Sequence, residues 1–360
     1  MRMSRTSRNS CAARERVAAP FKEPIMKAIV YAKAGVPIDD PTSLYDTELP
    51  VPTPGPRDLL VRIDAIAVNP VDSKLRLGVQ PSGPRVLGWD AAGTVEAVGA
   101  DVELFAPGDK VWYAGDITRP GSYAEYGLVD ERIASRRPTT LGAADAAALP
   151  LTAITAWELL FDRLKIAERG GAGQSVLVIG AGGGVGSILV QLARRLTELT
   201  VIGTASRPAT HAWVAELGAH HVIDHGQPLQ PQLKSLGIDD VDHVISLTHT
   251  DAYYAQIVDV LKPQGQLALI DDPDTLDAMP LKRKAISLHW EFMFTRSMFR
   301  TPDMDRQHAL LARVATLIDD GVLKSTVGEH LGKIDAANLR RAHALLEGGR
   351  AKGKIVLEGF

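Results

Sequence analysis

The sequence predicts an α/β chain of two domains, in which a parallel sheet crossed by helices is joined to a mostly-β domain. Three observations carry this prediction. The chain has 360 residues, about twice the length of a typical single domain. Short apolar runs separated by Pro and Gly fill its first part, whereas strands alternate with helices from about residue 175 onwards. The residues are 45% hydrophobic and 23% charged, the proportions of a soluble globular protein.

Charge and cysteine content narrow the possible partners. The net charge of −3 gives no general attraction for nucleic acid or for an anionic membrane surface, so we expect neither as a partner. The sequence contains no run of about eighteen apolar residues that would predict a membrane span. Cys11 is the single cysteine, which excludes an intrachain disulfide or cysteine-cluster metal site and is compatible with a reducing, cytoplasmic compartment.

The first 25 residues differ from the rest of the chain. They are basic, rich in Arg, Ser and Ala, and lack both apolar periodicity and the hydrophobic core of a secretory signal. We expect a disordered extension here. A targeting arm, or a start codon placed too early ahead of Met26, remain the alternatives.

From Met26 the chain has the pattern of short strands. The segments that predict this all-β start are MKAIVY, PVPTPGPRDLLVRIDAIAVNP, VLGWDAAGTVEAVGADV and APGDKVW. Near Ala143 the pattern changes to an Ala-rich helix, AADAAALPLTAITAWELLFDRL. We therefore place the end of the β-rich region near residue 150.

The next region alternates strands and helices. It begins with GQSVLVIG, a β-branched run typical of a buried parallel strand. The segments that follow it are SILVQLARRL, TVIGTA, ATHAWVAELGA, HHVIDH, VDHVISL, YYAQIVDVL and GQLALIDD. Such alternation predicts a parallel sheet with crossover helices.

After about Lys284 come an apolar segment, AISLHWEFMF, a helix-like ALLARVATLIDDG and a terminal strand, GKIVLEGF. Pairing of this strand with the first half of the chain would make the tail part of the first domain. Packing on the parallel sheet alone would instead mean two consecutive, uninterrupted domains.

A glycine-rich turn joins the first parallel strand to its helix. Residues 176–186 read VLVIGAGGGVG, and the last two glycines of a G-x-G-x-x-G pattern match Gly183 and Gly186, whereas the first falls on Ala181. Missing Cβ atoms allow a tight turn and let backbone N–H groups approach a pyrophosphate at the helix N-terminus. A merely flexible turn is the alternative. We predict a Rossmann-type dinucleotide site contacted by Ala181, Gly182, Gly183, Gly184, Val185 and Gly186.

The end of the following strand indicates which dinucleotide is bound. NAD sites place an Asp or Glu there to hold the ribose 2′-hydroxyl, but this chain has Ala205 followed by Ser206 and Arg207. A hydroxyl donor and a fixed cation suit a 2′-phosphate. We therefore predict NADPH rather than NADH, with a solvated loop arginine as the alternative.

These residues resemble the medium-chain dehydrogenase/reductase superfamily, especially its quinone oxidoreductase branch and relatives often labelled zinc-type alcohol dehydrogenase-like. The resemblance implies a GroES-like substrate domain, residues 26–150 plus 286–360, interrupted by a Rossmann domain, residues 151–285. It also implies a small-molecule acceptor and a homodimer. The matching segments are VNPVDSKLR, VLGWDAAGTVEAVG, FAPGDKVW, GSYAEY, LPLTAITAW, AGGGVG, GTASRP, LGAHHVIDH and GKIVLEGF.

The chain departs from its zinc-dependent relatives at the ligand positions. Asn69 stands about where the resemblance places a ligand Cys, and Trp89 and Asp90 replace a His and a Glu. The four cysteines of a structural zinc lobe are also missing from the sequence. Because a tetrahedral zinc needs soft or imidazole ligands, we predict a zinc-free protein.

The resemblance further implies which residues face the cofactor. Asn69, the implied catalytic residue, should lie at the nicotinamide end, Thr152 should face the cofactor from the start of a helix, and His225 should lie near the adenosine phosphate. Ordinary roles remain open: a turn cap for Asn69, a helix cap for Thr152 and a surface position for His225. The remaining implied contacts are Ile270, Asp271, which could instead belong to a turn, and Lys354.

The missing zinc ligands also predict the type of reaction. Alcohol oxidation needs stabilisation of an alkoxide, which a metal ion supplies. Hydride addition to a quinone or an α,β-unsaturated carbonyl gives a delocalised anion that needs only modest hydrogen bonding, so we predict that reaction. An alcohol dehydrogenase and a non-enzymatic NADPH-binding protein are the alternatives. Tyr113 and Tyr123 are the nearest phenols, but the sequence does not identify a proton donor.

Overall fold

The computed structural model describes residues 24–360. The predicted extension, residues 1–25, lies almost entirely outside the described residues, and Ile25 already begins the first strand. The first half contains strands β1 (Ile25–Tyr31), β2 (Tyr45–Pro50) and β3 (Asp58–Val68), helix α1 (Pro70–Gly78), strands β4 (Arg85–Val86), β5 (Ala91–Val98), β6 (Lys110–Tyr113) and β7 (Tyr126–Asp130), a 3-10 turn (Glu131–Ile133) and strand β8 (Ala134–Arg136).

A helical stretch then leads to the second sheet. It consists of α2 (Ala143–Ala147), α3 (Pro150–Trp157) and a π-helical continuation, Glu158–Arg163. Among the described residues, Ala143–Arg163 is the one helical stretch long and apolar enough to cross a membrane, but 78% of its most apolar window is buried inside the protein. That degree of burial is typical of a core helix.

The alternating region forms a six-stranded sheet in which every pair of neighbours is parallel. Strand order is β11-β10-β9-β12-β13-β14, so the order reverses between β9 and β12, where open α/β sheets bind ligands. The elements are β9 (Ser175–Ile179), α4 (Gly184–Leu196), β10 (Thr200–Thr204), α5 (Pro208–Glu216), β11 (His221–Ile223), α6 (Leu229–Ser235), β12 (Val241–Ser246), α7 (Thr250–Val260), β13 (Leu261–Leu269), α8 (Met279–Lys282) and β14 (Ser287–Trp290).

The tail of the chain returns to the first half. It contains α9 (Thr295–Met298), α10 (Arg306–Asp319), β15 (Val327–His330), α11 (Ala336–Glu347) and β16 (Lys354–Glu358). Strand β16 pairs antiparallel with β3, with Ile355 opposite Val68. It thereby joins a seven-stranded sheet, β15-β16-β3-β5-β6-β8 with β7 on β3. A three-stranded sheet, β2-β1-β4, also belongs to the first half. The parallel sheet with its helices, beside these two other sheets, confirms the predicted α/β fold class.

Two local expectations need correction. The predicted start of the returning segment at residue 286 is too early, because Ser287–Trp290 pairs with β13 as the last strand of the parallel sheet. The predicted all-β start contains helix α1, in which Pro70 fills the first helical position and Asp72 accepts the Asn69 N–H at 2.8 Å. A proline at that position and an acidic residue in the first turn both favour a helix start.

Candidate active site

A cavity of about 560 Å³ opens between the six-stranded sheet and the seven-stranded sheet. The carboxyl ends of β9, β10 and β13 form one side of it. The end of β3, the start of α3 and the start of β16 form the other side. Every residue predicted to contact the cofactor, apart from Ala181, lines this cavity. The structure therefore brings together residues spread from position 69 to position 354.

The glycine loop lies at the start of helix α4. Gly180 has a φ of +83°, a left-handed conformation that glycine adopts without strain. A Cβ on Gly186 would lie 2.5 Å from the Ala181 Cα, so this glycine permits the close contact between loop and helix. Ala181 itself is fully buried beneath the loop and does not line the cavity. Gly182, Gly183, Gly184 and Val185 line the cavity with Gly186.

Gly184 also admits a side chain from the other sheet. A Cβ at this position would lie 2.8 Å from the Lys354 Cδ and 3.3 Å from the Thr152 Cγ2. The stem of Lys354 therefore crosses the glycine loop where any larger residue would collide with it. The sequence pattern, which explains Gly184 by the approach of a pyrophosphate, did not indicate this second role.

The end predicted to hold the 2′-phosphate is rich in basic groups. Ser206 and Arg207 follow β10 and line the cavity, and the Arg207 Nη1 donates to the Arg350 carbonyl at 3.0 Å. The His225 ring meets Tyr253 edge-on, with centroids 6.0 Å apart, and burial lowers the pKa of His225. Because the lowered pKa keeps the His225 imidazole neutral, the permanent positive charge at this end of the cavity is that of the Arg207 guanidinium.

At the opposite end, Thr152 and Asp271 line the cavity while serving local structure. The Thr152 hydroxyl donates to the Leu149 carbonyl at 3.0 Å. The Asp271 carboxylate accepts the Thr250 N–H at 2.8 Å and also binds the Thr250 hydroxyl, so it holds the first turn of α7. Ile270 lies beside it in the cavity wall. Thr152 therefore lies inside α3 and does not cap it, and Asp271 serves the start of α7 rather than a turn of its own.

Asn69 lies at the centre of a buried polar network. Its Nδ2 donates to Asp90 Oδ2 at 2.8 Å, and its Oδ1 accepts from the ammonium of Lys354. The same ammonium lies 3.0 Å from Asp90 Oδ2. All three side chains are at most 3% exposed. The sequence singled out Asn69 and Lys354 separately and did not predict that they touch.

A second buried network lies behind Asn69 and does not reach the cavity wall. The Tyr123 hydroxyl donates to Asp72 Oδ2 at 2.7 Å and lies 3.2 Å from His343 Nε2. Burial raises the pKa of Asp72 to about 7. Tyr113, the other phenol considered from sequence, is also buried away from the cavity. Neither tyrosine lines the cavity.

The residues at the implied zinc positions do not fit a zinc ion. The Trp89 indole points away and donates to the Asp116 carbonyl at 3.1 Å. Asn69 and Asp90 are already bound to a cation, the Lys354 ammonium. In the part of the chain from residue 24 to residue 360, no three His, Cys, Asp or Glu side chains form a candidate metal group. Positions 69, 89 and 90 therefore do not form a zinc site.

The wall opposite Asn69 is aromatic. Residues Glu291, Phe292, Met293 and Phe294 follow β14 and line the cavity. Phe294 meets Phe292 at 5.4 Å and Trp89 at 6.2 Å between ring centroids, both edge-on. From sequence this stretch was only an apolar segment after the last parallel strand. Phe292 and Phe294, two positions apart, were the available signal for an aromatic cavity wall.

Comparison with known proteins gives the family. A zinc-type alcohol dehydrogenase-like protein of Staphylococcus aureus is 43% identical over 309 residues, which span 85% of this chain and 92% of the relative. The chain belongs to the medium-chain dehydrogenase/reductase superfamily. Residues 55–139 match the alcohol dehydrogenase GroES-like domain, and residues 217–357 match the family described as zinc-binding dehydrogenase. It is therefore an oxidoreductase with a Rossmann-type NAD(P)-binding domain.

Other relatives of this oxidoreductase carry different names. A crystal structure from Rhizobium etli, assigned as a zinc-dependent alcohol dehydrogenase, is 54% identical, with a TM-score of 0.91 over 94% of this chain and 99% of the other. A chloroplastic quinone oxidoreductase of Triphysaria versicolor is 30% identical over 93% of this chain and 98% of its own. A mycobacterial protein solved with NADPH is 28% identical, with a TM-score of 0.79 over 92% of this chain and 99% of the other.

Proposed function

We propose that this oxidoreductase is a zinc-independent, NADPH-dependent reductase that transfers hydride to a quinone or to an α,β-unsaturated carbonyl compound. One observation carries the proposal. Asn69 and Asp90, at the positions where zinc-dependent relatives hold their metal, are bound to Lys354 instead. The site holds a fixed ammonium that cannot coordinate an alkoxide, because all three of its N–H groups already have acceptors.

NADPH supplies the hydride when it is bound. The groups of this chain that would hold it are the amides of the glycine loop at the start of α4, Ser206 and Arg207 at the 2′-phosphate, and Asn69 at the nicotinamide end. Helix N-termini favour phosphate groups because their N–H groups are unsatisfied and carry partial positive charge. Arg207 would bind the 2′-phosphate by charge-assisted hydrogen bonds.

The acceptor would lie between Asn69 and the aromatic wall. Phe292 and Phe294 suit a flat, apolar ring system, and they exclude water from the place of reaction. Electron-poor acceptors of this kind give delocalised anions on reduction, so positioning supplies most of the rate enhancement. The proton would come from water. NADPH also suits this direction, because a reductase draws on the reduced cofactor.

A screen of acceptors tests the proposal. Oxidation of NADPH is followed by absorbance with quinones, enones and simple aldehydes, and the reverse reaction is run with alcohols and NADP⁺. We expect turnover of quinones or enones that is unchanged by a chelator. Robust alcohol oxidation without quinone or enone turnover would replace this function with that of an alcohol dehydrogenase. Tight binding of NADPH without any turnover would favour a non-enzymatic role.

We further propose a homodimer and a cytoplasmic location, with no nucleic acid or membrane as partner. Strand β14 is the last strand at one side of the described parallel sheet, and Trp290, Met298 and Phe299 at or after its end are at least 43% exposed. A strand edge flanked by exposed apolar side chains supports pairing with a second copy. Light scattering of the purified protein tests it, and a monomer at micromolar concentration would contradict it.

A further inference from the structure

Lys354 is a buried cation in the wall of the cleft. Its ammonium donates to the Val68 carbonyl at 2.8 Å, to Asp90 Oδ2 at 3.0 Å and to Asn69 Oδ1. A lysine ammonium has three N–H groups, so these contacts use all of its donors. The charge of Lys354 therefore acts first on groups of the protein and only through them on a bound molecule.

Asp90 is the counterion of this lysine. Its Oδ1 accepts the Leu151 N–H at 2.8 Å, and its Oδ2 accepts from both Asn69 and Lys354. Burial raises the pKa of Asp90, whereas the nearby ammonium and the amide donors stabilise its charged form. A carboxylate with donors on both oxygens stays ionised. Leu151 lies in α3 beside Thr152, so Asp90 ties the first sheet to the helix that faces the cofactor.

The Asn69 carboxamide is held at both ends by opposite charges. Its oxygen accepts from the ammonium and its nitrogen donates to the carboxylate. Rotation of the amide by 180° would place the N–H groups against Lys354 and the oxygen against Asp90, which removes both contacts. The second N–H of Asn69 has only a long contact, 3.4 Å, to the Ala67 carbonyl. The Asn69 carboxamide is thus fixed in a single orientation in the wall of the cleft.

We propose that Lys354 and Asp90 are positioning residues. The Lys354 ammonium is the resident cation of a metal-free cleft. Together with Asp90 it holds the Asn69 carboxamide against the reacting end of the cofactor. The proposal rests on the function proposed for Asn69. The stem of Lys354 reaches Asn69 only because Gly184 has no Cβ. The glycine loop therefore shapes the nicotinamide end of the site as well as the phosphate end.

A purely structural ion pair is the competing explanation, and a double variant separates the two. Lys354→Met and Asp90→Asn each leave one buried charge unpaired, which lowers thermal stability, whereas the double variant removes both charges and recovers stability. We expect kcat to fall by on the order of 10- to 100-fold in all three variants, the range for a misplaced reacting group. We expect the Kd for NADPH to change less than about threefold, because Lys354 has no donor left for it.

Two controls sharpen the measurement. Lys352→Met removes a lysine from the same segment whose ammonium lies over the Trp213 ring, 4.8 Å from its centroid, and should keep the wild-type kcat.

Because Lys354 acts through Asn69, Lys354→Met should add little to the loss caused by Asn69→Ala. Wild-type kcat in the stable double variant would overturn the proposal. A Kd for NADPH more than about tenfold weaker with unchanged kcat would instead make Lys354 a cofactor ligand.

A readout without turnover keeps this inference distinct from the proposed function. If the wild-type protein reduces no quinone or enone, the proposed function fails, but the positioning role is still tested on bound NADPH. The anisotropy decay of dihydronicotinamide fluorescence reports the motion of that ring. We expect greater motion in Lys354→Met, in the double variant and in Asn69→Ala than in the wild type or in Lys352→Met. Equal motion in all five proteins would overturn the positioning role.

Discussion

Glu158 and Glu291, two buried acids on separate elements, lie against the same guanidinium, that of Arg163. Arg163 lies beside both, 2.7 Å from Glu291 Oε2 and 3.6 Å from Glu158 Oε2. Within residues 24–360 the other oxygen of Glu291, Oε1, has no N–H or O–H donor. Burial beside the Glu158 carboxyl raises the pKa of Glu291, while Arg296 binds Glu158. Glu291 is also the first residue of the aromatic wall of the cavity.

The raised pKa of Glu291 predicts how stability depends on pH. Burial and the neighbouring Glu158 charge raise this pKa to about 9, above its value in the unfolded chain. The contribution of Glu291 to stability is then complete below about pH 4 and is lost as the pH rises towards 9, by at most about 1.4 kcal/mol per pH unit for one proton. Urea denaturation between pH 5 and pH 9 measures this slope. Glu291→Gln should flatten it, whereas the exposed Glu329→Gln should not; an equal slope in both variants would refute a raised pKa at Glu291.

Arg207 should decide the choice of cofactor. Arg207→Ala removes a charge-assisted hydrogen bond to the 2′-phosphate, which is worth on the order of 1.5–3 kcal/mol. We expect NADPH to bind roughly 10- to 150-fold more weakly, with little change for NADH. Calorimetric titration with both cofactors measures the difference. Arg195→Ala, near the far end of α4, is the matched control, and an equal loss for NADPH and NADH in Arg207→Ala would rule out Arg207 as the phosphate contact.

The purified protein should contain little zinc, and its activity should not depend on zinc. Asn69 and Asp90 already bind the Lys354 ammonium, and neither a thiolate nor an imidazole stands at the implied zinc positions. Elemental analysis of the purified protein should find much less than one zinc per chain, and a chelator should leave the rate unchanged. Activity that is lost on chelation and restored by zinc would contradict the zinc-free assignment.

Gly184→Ala should act at the nicotinamide end of the site. The added Cβ would lie 2.8 Å from the Lys354 Cδ, and Lys354 cannot move away without losing its contacts to Asn69 and Asp90. We expect kcat to fall by on the order of tenfold or more through misplacement of Asn69. Gly142→Ala, where a new Cβ meets nothing within 4 Å, should leave the rate unchanged. A Gly184→Ala protein with wild-type kcat would show that the loop tolerates the displaced lysine.

Much of the fold could be predicted because its signals are local. The alternation of β-branched runs and amphipathic helices predicts the parallel sheet, and the run from Val176 to Gly186 predicts the strand, turn and helix that the structure contains. Helix α1 was missed because its nine residues have no clear apolar stripe and follow a long strand. The motif predicts Ala181 as a cofactor contact, although the residue is buried and does not line the cavity. A motif gives positions along a loop but not the side of the loop that each residue faces.

Local sequence predicts the dinucleotide loop, the missing acid at position 205 and the missing zinc ligands at positions 69, 89 and 90, since each depends on which residue stands at one place in the chain. The contact of Lys354 with Asn69 and Asp90 becomes visible only in the fold. Lys354 and Asn69 are 285 positions apart, and they meet because β16 pairs antiparallel with β3 in the register that puts Ile355 opposite Val68. Hydrophobic patterns specify which face of a strand is buried, but the partner of a buried charge depends on strand register across the whole chain, which no local pattern records.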